Sequence, residues 1–418
     1  MLRKLLVLLI LAVPLSAADD PSFFLERIEV RNHHRVSPDV VLAESRLHEG
    51  RVYTEAELRD AATRLSRLPF LLSVDFSLEK GSERGNYVLV LTVNETKPFF
   101  YRLDLVPYLS EVERPVDPDY QDRPASSGGN ELGLGFRWFV GRRGAVHVGF
   151  ALTREDRAFT REYAAGSVGY TQYDLFGTRA FLTLNLKRPL EGTETGLLSP
   201  QVVLGVPLSS NQTMTLELED SRFEAAKSDE SVLGTSYEVQ QNQRTVTARW
   251  TYNTSNDPFF PTEGTVLSLT PYYTLADGVD GLYSGDLSLD SGAFHSRSYG
   301  LVAGTTRYHE LSERNSVWGD VRGEWARIER DSDFLERSYE HTATSASVGV
   351  GYGFSLWTRD ERASGDSRFE WTARYTNRAN REERIFYSDH DDDVIQMAWA
   401  WIRRSSFGTL RLGVGYAR

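Results

Sequence analysis

Beyond its first residues, the sequence has no long apolar run, no cysteine and no excess of positive charge. With Cys 0 among 418 residues, no disulfide framework can form. Mean hydropathy is -0.40, and no later segment reaches the roughly 20 consecutive apolar residues of a membrane-spanning helix. The net charge of -12 provides no basic stripe to neutralise phosphates, which argues against nucleic acid as a partner.

The first residues have the pattern of a secretory signal. Arg3 and Lys4 precede the apolar run Leu5–Val13, and small residues follow at Ala17 and Ala18. Such a run is too short for a membrane anchor, so residues 1–18 are predicted to be a signal peptide that is removed after export. No cysteine follows the run, which excludes a lipoprotein anchor.

From about Tyr101 onward, apolar residues recur at every second position. In Thr245–Tyr252, Val, Ala, Trp and Tyr alternate with Thr and Arg, and the segments around Leu216 and Ala373 follow the same pattern. Because the side chains of a strand point alternately to two faces, each segment is predicted to be a strand with one apolar and one polar face. Charge on the polar face and Trp, Tyr and Leu on the other favour a membrane barrel over a soluble sandwich.

This alternation predicts an all-β transmembrane antiparallel β-barrel over residues 100–418. At about ten residues per strand, with connections of similar mean length, the segment has room for about 16 strands. The predicted first and last strands are 101–108 and 407–416, and separate strands are predicted at 284–291 and 299–309. Aromatic residues make up 12% of the chain, enough to supply the interfacial girdles of such a barrel.

Residues 23–97 have a different pattern, which predicts a small α+β domain. A short alternating strand is followed by Ser37 and Pro38, where serine would cap a helix and proline would occupy its first position. Gly50 would close that segment, and Thr54 with Glu57 forms a capping box for a second helix. Two alternating strands follow, so the predicted order is β-α-α-β-β, with both helices on one face of a three-stranded sheet.

The small domain resembles a POTRA domain, the periplasmic module in front of outer-membrane assembly barrels. The matching pieces, in order along the chain, are Ile28–Val30, Arg35–Ser37, Tyr53–Thr54, Leu71–Asp75 and Val93–Glu95. Their order and spacing carry the resemblance rather than any one of them. Only one such domain fits in the sequence, whereas the essential insertases of that family have several.

One turn in the predicted barrel resembles a family motif. The segment Ser255–Gly264 is similar to the Asp-Pro-x-Phe-Pro-Thr-x-Gly turn of the BamA/TamA superfamily of outer-membrane barrels, also called bacterial surface antigens. Two prolines and a glycine stop the strand there and reverse the chain. The segments Tyr173–Thr178 and Ala346–Tyr352 resemble another turn and a late strand of the same barrels. The motif residues of the first turn are Asp257, Pro258, Phe260, Pro261, Thr262 and Gly264.

The sequence departs from the family pattern inside the predicted barrel. The hallmark Val-Arg-Gly-Phe/Tyr, on an outer loop folded into the lumen, has no clean counterpart. Val321–Glu324 looks like it but lies in an alternating strand, and Ser296–Tyr299 is predicted to be a turn. Asp320 occupies a position like the family's lumenal aspartate that pairs with the loop arginine. The resemblance therefore implies that the loop is shortened or lost.

The C-terminus departs from the family pattern as well. The family usually ends on an aromatic residue, whereas Ala417 and Arg418 follow the last tyrosine here. Leu412, Val414 and Tyr416 still alternate as the terminal strand signal of such barrels does.

Charged residues on the polar faces predict a charged lumen. They are Asp320, Arg322, Glu324, Arg249 and Arg374, with Glu217 and Arg411 on further strands. Two interpretations stay open: the charges pair across strands and satisfy one another, or they line a polar conduit or binding surface.

No pattern in the sequence predicts catalysis, a cofactor or a metal. Adjacent His33 and His34 would point apart at the end of a strand, with no further ligands near them. The run Asp389–Asp393 lacks calcium-loop spacing and is predicted to be a solvated outer loop. Gly349–Gly353 lies in a period-two strand without a following helix, so it is not a phosphate loop. The chain is predicted to be non-enzymatic.

The resemblance implies a function at the bacterial outer membrane, with the small domain in the periplasm. The implied role is the assembly, insertion or translocation of other proteins, with outer-membrane lipid around the barrel. The small domain would bind unfolded or exported protein substrates, and periplasmic or lipoprotein partners are possible. Two alternatives remain: a porin-like or two-partner-secretion transport pore, and a scaffold that moves no substrate.

Overall fold

A computed structural model describes most of the chain after the predicted signal peptide, and residues 1–18 lie outside the described part. The described residues are 21–66, 68, 70–105, 108–110, 130–141, 143–155, 161–178, 180–191, 199–209, 211–228, 235–257, 260–284, 287–333, 337–356, 365–382 and 390–417.

The N-terminal domain contains one mixed sheet and two helices. Its elements are β1 (Ser22–Arg31), α1 (Pro38–Ser45), β2 (Arg51–Thr54), α2 (Glu55–Ser66), β3 (Leu71–Lys80) and β4 (Asn86–Glu95). The strand order is β2-β1-β4-β3. β1 runs parallel to β4, and the other two pairs are antiparallel.

This domain has one strand more than the predicted β-α-α-β-β order. The short strand β2 pairs antiparallel with the start of β1, through partners such as Phe24 and Val52. Four residues are too few to show a period, so no sequence pattern predicts this strand. The first helix also ends earlier than predicted, at Arg46 with φ 58 rather than at Gly50.

The second helix begins as its capping box predicts. Glu57 accepts a hydrogen bond from the Thr54 backbone N–H at 2.8 Å, and the Glu57 N–H donates to Thr54 Oγ1 at 3.2 Å. Helix α2 then buries Leu58 and Leu65 fully against the sheet, where Leu89 is also fully buried. Each fully buried leucine contributes about 1.5–3 kcal/mol relative to an exposed one.

The remaining strands form the barrel. They are β5 (Phe99–Leu105), β6 (Tyr108–Ser110), β7 (Asn130–Val140), β8 (Gly144–Glu155), β9 (Arg161–Leu175), β10 (Ala180–Glu191), β11 (Ser199–Pro207), β12 (Gln212–Ser228), β13 (Thr235–Asn253), β14 (Gly264–Ser284), β15 (Leu287–Ser312), β16 (Asn315–Ser332), β17 (Arg337–Ser355), β18 (Gly365–Glu382), β19 (His390–Ser405) and β20 (Gly408–Ala417).

Within the described residues the barrel is closed by 15 strands, because β5 and β6 are two segments of the first one. An up-and-down chain with an odd number of strands starts and ends in the same direction. The closing pair, β20 with β5 and β6, is accordingly parallel, while neighbouring strands elsewhere are antiparallel. The predicted all-antiparallel arrangement of about 16 strands is therefore wrong at the closure.

The extra predicted strand arises from one long strand that was divided in two. Segments 284–291 and 299–309 were predicted separately, but β15 runs without a turn and pairs with β14 along its length. The predicted turn at Ser296–Tyr299 is a continuous part of that strand. A period of two is visible in a sequence only where one face of the strand is apolar. Here both faces carry polar residues, so the alternation is hidden.

The barrel has an apolar outer face and a polar inner face. Trp138, Val350 and Trp399 are 48%, 50% and 51% exposed, and all three point outward. In a soluble protein such side chains would be buried, whereas here they form an exposed apolar surface of the kind expected of a membrane barrel. Among the described residues, neither helix is long and apolar enough to cross a membrane.

The N-terminal domain lies at the end of the barrel with the short turns. The turns β7–β8 and β19–β20 are there, while β13 to β15 extend far beyond a membrane's thickness at the other end. About ten residues suffice to span a bilayer as a tilted strand, and β15 has 26. The short-turn end is called the domain end below.

A buried carboxylate holds the segment before α1. Glu95, at the end of β4, accepts hydrogen bonds from the backbone N–H groups of His34, Arg35 and Val36 at 2.8–2.9 Å. Burial raises the pKa of the Glu95 carboxyl, but these N–H donors and the charge of Arg35 outweigh burial, so the pKa lies below its ordinary value.

We predict that Glu95→Gln destabilises the N-terminal domain by about 1–3 kcal/mol, because charge-assisted hydrogen bonds are lost. Since the folded pKa is lowered, the stabilisation is present above the ordinary value of 4.5 and is lost as pH falls through the folded value. Hydrogen exchange of peptides covering 34–36 checks both effects. Equal exchange in the wild type and the variant at neutral pH would contradict this role.

Candidate functional site

The inner wall formed by β16, β17 and β18 gathers charged side chains over a row of glycines. Gly349, Gly351 and Gly353 alternate along β17 and face the lumen. A Cβ at any of the three would overlap with a side chain from a neighbouring strand. These glycines leave space in which side chains of β16 and β18 reach across β17.

The first use is an ion pair between strands that are not neighbours. Asp320 on β16 lies over Gly349 and accepts a hydrogen bond from Arg374 Nη2 on β18 at 2.9 Å. Asp320 is 13% exposed and Arg374 37% exposed. In this chain the partner of the lumenal aspartate is therefore an arginine of the wall itself.

The other predicted lumenal charges also lie on inner faces. Arg322 and Glu324 follow Asp320 on β16, alternating with the outward-facing Trp325. Arg249 lies on β13, away from this wall. The triplet Val321–Gly323 is part of the strand, as its alternation predicted, and does not form an inserted loop.

The remaining two glycines accommodate an aromatic ring and a buried cation. Trp318 lies over Gly351, and the guanidinium of Arg368 lies over Gly353. Arg368 is 1% exposed, and its Nη2 donates to Ser316 Oγ at 2.7 Å. Glu370 is the nearby carboxylate, 3.4 Å from Arg368 Nε.

The motif turn between β13 and β14 is held by its own polar side chains. Asp257 Oδ1 accepts from the Phe260 N–H at 2.8 Å, and Asn256 Oδ1 accepts from the Thr262 N–H at 3.1 Å. Gly264 has φ 105, where a Cβ would meet the Thr254 backbone.

Three further motif residues lie within the described part of the chain, and they contact the barrel wall in different ways. Phe260 and Thr262 are buried, and Thr262 Oγ1 donates to Glu310 on β15 at 2.9 Å. The Pro261 carbonyl accepts from Arg368 at 3.3 Å, and Pro258 lies outside the described residues. The turn is thus folded back against the inner wall instead of extending away from the barrel.

The N-terminal domain is seated in the domain-end mouth of the barrel. The Phe70 ring packs edge-on against Phe139 at 4.9 Å and against Tyr173 at 5.4 Å, both at the ends of barrel strands. Arg404 on β19 donates to the Leu71 carbonyl at 3.2 Å. One apolar cluster joins the two parts and includes Tyr173 with Leu58 and Leu65 of helix α2. Phe70 therefore belongs to the cores of both parts.

The closing seam lies next to this contact. β5 pairs in parallel with β20 through Tyr101–Leu105 and Gly408–Leu412, and Arg411 lies 3.5 Å from Asp104 on the inner side. Gly408 has φ 150, and a Cβ there would overlap with the Tyr101 backbone. Only glycine allows the last hairpin to approach the first strand this closely.

The residues of the terminal strand signal lie in β20, within or close to this seam. Leu412 and Val414 are exposed on the outer face, and Tyr416 pairs with Leu109 of β6. They form a row on the lipid side of the closing strand.

The histidines and aspartates weighed as metal ligands lie in separate elements of the fold. No group of three or more metal-ligating side chains occurs in the part of the chain that the structure describes. His33 and His34 are exposed in the bend before α1, and of Asp389–Asp393 the last four residues begin β19.

Three residues of the site carried no sequence signal. Arg368 looked like another charge of an alternating strand, and its burial follows only from the turn that covers it. Phe70 follows a proline, and Arg404 is the next-to-last residue of β19. Since their partners are distant in sequence, periodicity could not have identified them.

We predict that Gly349→Ala separates Asp320 from Arg374 and destabilises the barrel by about 1–3 kcal/mol. The matched control is Gly319→Ala, where an added Cβ has only the Gly349 carbonyl near it, at 3.9 Å. The midpoint of heat modifiability on gels measures the difference. An equal midpoint for both variants would show that the glycine space is dispensable.

We also predict that Phe70→Ala raises ion conductance across a planar bilayer, because the domain loses its aromatic seat in the mouth. The control is Phe23→Ala, whose ring partner Tyr87, at 5.3 Å, is in the same domain. Conductance that is unchanged in Phe70→Ala, or raised equally by both variants, would contradict the seating of the domain by Phe70.

Comparison with known proteins yields structural similarities only. No protein-family model matches the sequence, and no curated protein matches it. The structure is similar to BamA from Haemophilus ducreyi lacking POTRA domains 1-3, with 10% identity, 95% of this chain and 85% of that chain covered, and a TM-score of 0.41. CdiB from Escherichia coli shows 11% identity, with 94% of this chain and 72% of that chain covered, and a TM-score of 0.45. CdiB from Acinetobacter baumannii shows 10% identity, with 94% of this chain and 73% of that chain covered, and a TM-score of 0.40. Similarity at this level does not assign the chain to a family.

Proposed function

We propose that the chain inserts or translocates other proteins at the bacterial outer membrane. In this proposal the barrel spans the outer membrane, and the N-terminal domain is a POTRA-like domain in the periplasm. Residues 23–97 receive unfolded or exported protein, and the predicted signal peptide directs export. The protein acts without a cofactor and without catalysis, through strand pairing.

The observation that carries the proposal is the position of the seam directly beside the domain. β4 leads into β5 through residues 96–98, so the domain is attached to the strand that closes the barrel. The Lys97 N–H donates to the Ser406 carbonyl at 2.7 Å, and the Tyr101 N–H donates to the Phe407 carbonyl at 2.8 Å. The segment that leaves the domain is therefore bonded to the turn before β20, on the other side of the seam.

The seam is also the one parallel junction among the described strands of the barrel. Its backbone pairing covers Tyr101–Leu105 and Tyr108–Ser110, whereas β12 and β13 pair along Gln212–Ser228. Parallel pairing is in addition slightly less stable per residue than antiparallel pairing. In this proposal the wall opens at the parallel junction, and the opened seam exposes strand edges to a substrate strand.

The N-terminal domain offers a strand edge for the preceding step. β3 is at the edge of its sheet and, among the described residues, pairs only with β4. Leu71–Lys80 can add an extended segment of a substrate or a periplasmic partner by β-augmentation, in which main-chain hydrogen bonds provide the affinity. Lipoprotein partners could use the same edge.

One observation favours a second candidate, a transport pore. Polar side chains on the inner face form a connected row: Asn185 donates to Gln201 at 2.9 Å, and Gln201 donates to Glu217. Such a row suits a water-filled lumen. Single-channel recording separates the candidates, because a pore conducts steadily while the seated domain of the first candidate keeps the barrel quiet. A scaffold would show neither conductance nor assembly activity.

The test of the leading proposal is a disulfide across the seam. Leu103→Cys with Leu410→Cys joins two register partners of β5 and β20, and with Cys 0 in the chain no other thiol interferes. We expect oxidation to reduce the level of folded outer-membrane proteins in a strain carrying only this variant. Added reductant should restore that level.

The control places the same bond elsewhere in the wall. Leu216→Cys with Ala248→Cys joins register partners of β12 and β13, far from the seam. Oxidation there should leave assembly unchanged. Normal assembly with a fully oxidised seam would exclude a role for seam opening and would leave the pore and scaffold candidates.

A further inference from the structure

Arg368 is the most deeply buried cation among the described residues, and its position is unusual for a lumenal charge. It is 1% exposed and lies at the domain end of β18, beneath the turn that joins β13 to β14. Removing a guanidinium from water costs several kcal/mol unless partners replace the lost hydration. The partners therefore indicate what the residue does.

Those partners come from three different parts of the chain. Nη2 donates to Ser316 Oγ on β16 at 2.7 Å, and Nη1 donates to the Pro261 carbonyl of the turn at 3.3 Å. The guanidinium carbon lies 5.0 Å from the Trp318 ring centroid and 6.0 Å from that of Phe260. Glu370 supplies the compensating charge from the same strand. Arg368 thus joins two wall strands to the turn.

The same turn also contacts the N-terminal domain. Thr63 on helix α2 donates to the Asn256 carbonyl at 3.5 Å. On its other side the turn is held by the hydrogen bond from Thr262 to Glu310 on β15. The turn therefore lies between the barrel wall and the seated domain, and its position depends on contacts with both.

We propose that Arg368 is a positioning residue that clasps the turn against the wall, so that the turn supports helix α2 and keeps the domain seated in the barrel mouth. Release of this clasp frees the turn and lets the domain leave the mouth. The inference concerns closure of the mouth and holds whether the barrel moves proteins or solutes.

A purely local role for Arg368 accounts for fewer of these contacts. If the guanidinium served only to neutralise Glu370, its closest bonds would go to that carboxylate. Instead Arg368 Nη2 donates to Ser316 on another strand at 2.7 Å, closer than Glu370 at 3.4 Å, and Nη1 reaches the turn. The space for it is provided by Gly353, where any side chain would displace it.

The test uses a single cysteine as a reporter of the contact between the turn and the domain. Thr63→Cys introduces the only thiol of the chain, and its rate of reaction with a membrane-impermeant maleimide is measured on the full-length protein in outer-membrane vesicles open at the domain side. Arg368→Met with Glu370→Gln removes the clasp without leaving a buried carboxylate unpaired. We expect labelling about tenfold faster, as for the loss of one charge-assisted hydrogen bond.

A control and a second variant keep the test decisive. Asp320→Asn with Arg374→Met removes the ion pair from the same two strands without touching the turn, and should leave the labelling rate unchanged. Phe260→Ala weakens the clasp from the turn's side and should accelerate labelling even where the double variant fails to fold, as judged by heat modifiability. Unchanged labelling in folded clasp variants, or equal acceleration in the control, would overturn the proposal.

Discussion

Closure of the barrel is the constraint on which the rest of the structure depends. In a bilayer no water pairs with exposed backbone groups, so a sheet that spans it has to close on itself. The 15 strands leave the first and last pointing the same way, so closure requires one parallel pair. That pair is short, is braced by Arg411 and Asp104, and needs the close approach that Gly408 allows. The domain attached to β5 is consequently beside the parallel junction of the wall.

Small residues on the inner face determine where charge accumulates. Glycines along β17 remove one row of side chains and let Asp320 and Arg374 meet across an intervening strand. The same absence of side chains creates the buried place of Arg368 at the mouth. Of the two interpretations of the lumenal charges, pairing across strands holds for Asp320 and Arg374. Arg322 and Arg249 face the lumen from different strands.

Periodicity predicted the barrel strands well where one face meets lipid and poorly elsewhere. The alternation around Val246 and Ala373 corresponds to real strands with register partners, because lipid demands an apolar residue at every outward position. The middle of β15 has polar residues on both faces, so the sequence predicts two strands there and a strand count that is one too high. The short strand β2 was missed for a related reason, since Arg51–Thr54 has no room for a period. The capping box at Thr54 was found because its signal is local.

By itself the sequence determined the two faces of the barrel strands, the inward position of Asp320 and Arg374, and the motif turn ending at Gly264, and it predicted a small domain ahead of the barrel. All of these depend on residues within a few positions of one another. Only the tertiary structure decided the parallel closure, the partner of Asp320, the seating of Phe70 against Phe139 and Tyr173, and the burial of Arg368. These features depend on which distant strands become neighbours and on how the domain meets the mouth. No local pattern of residues determines contacts between residues so far apart in sequence.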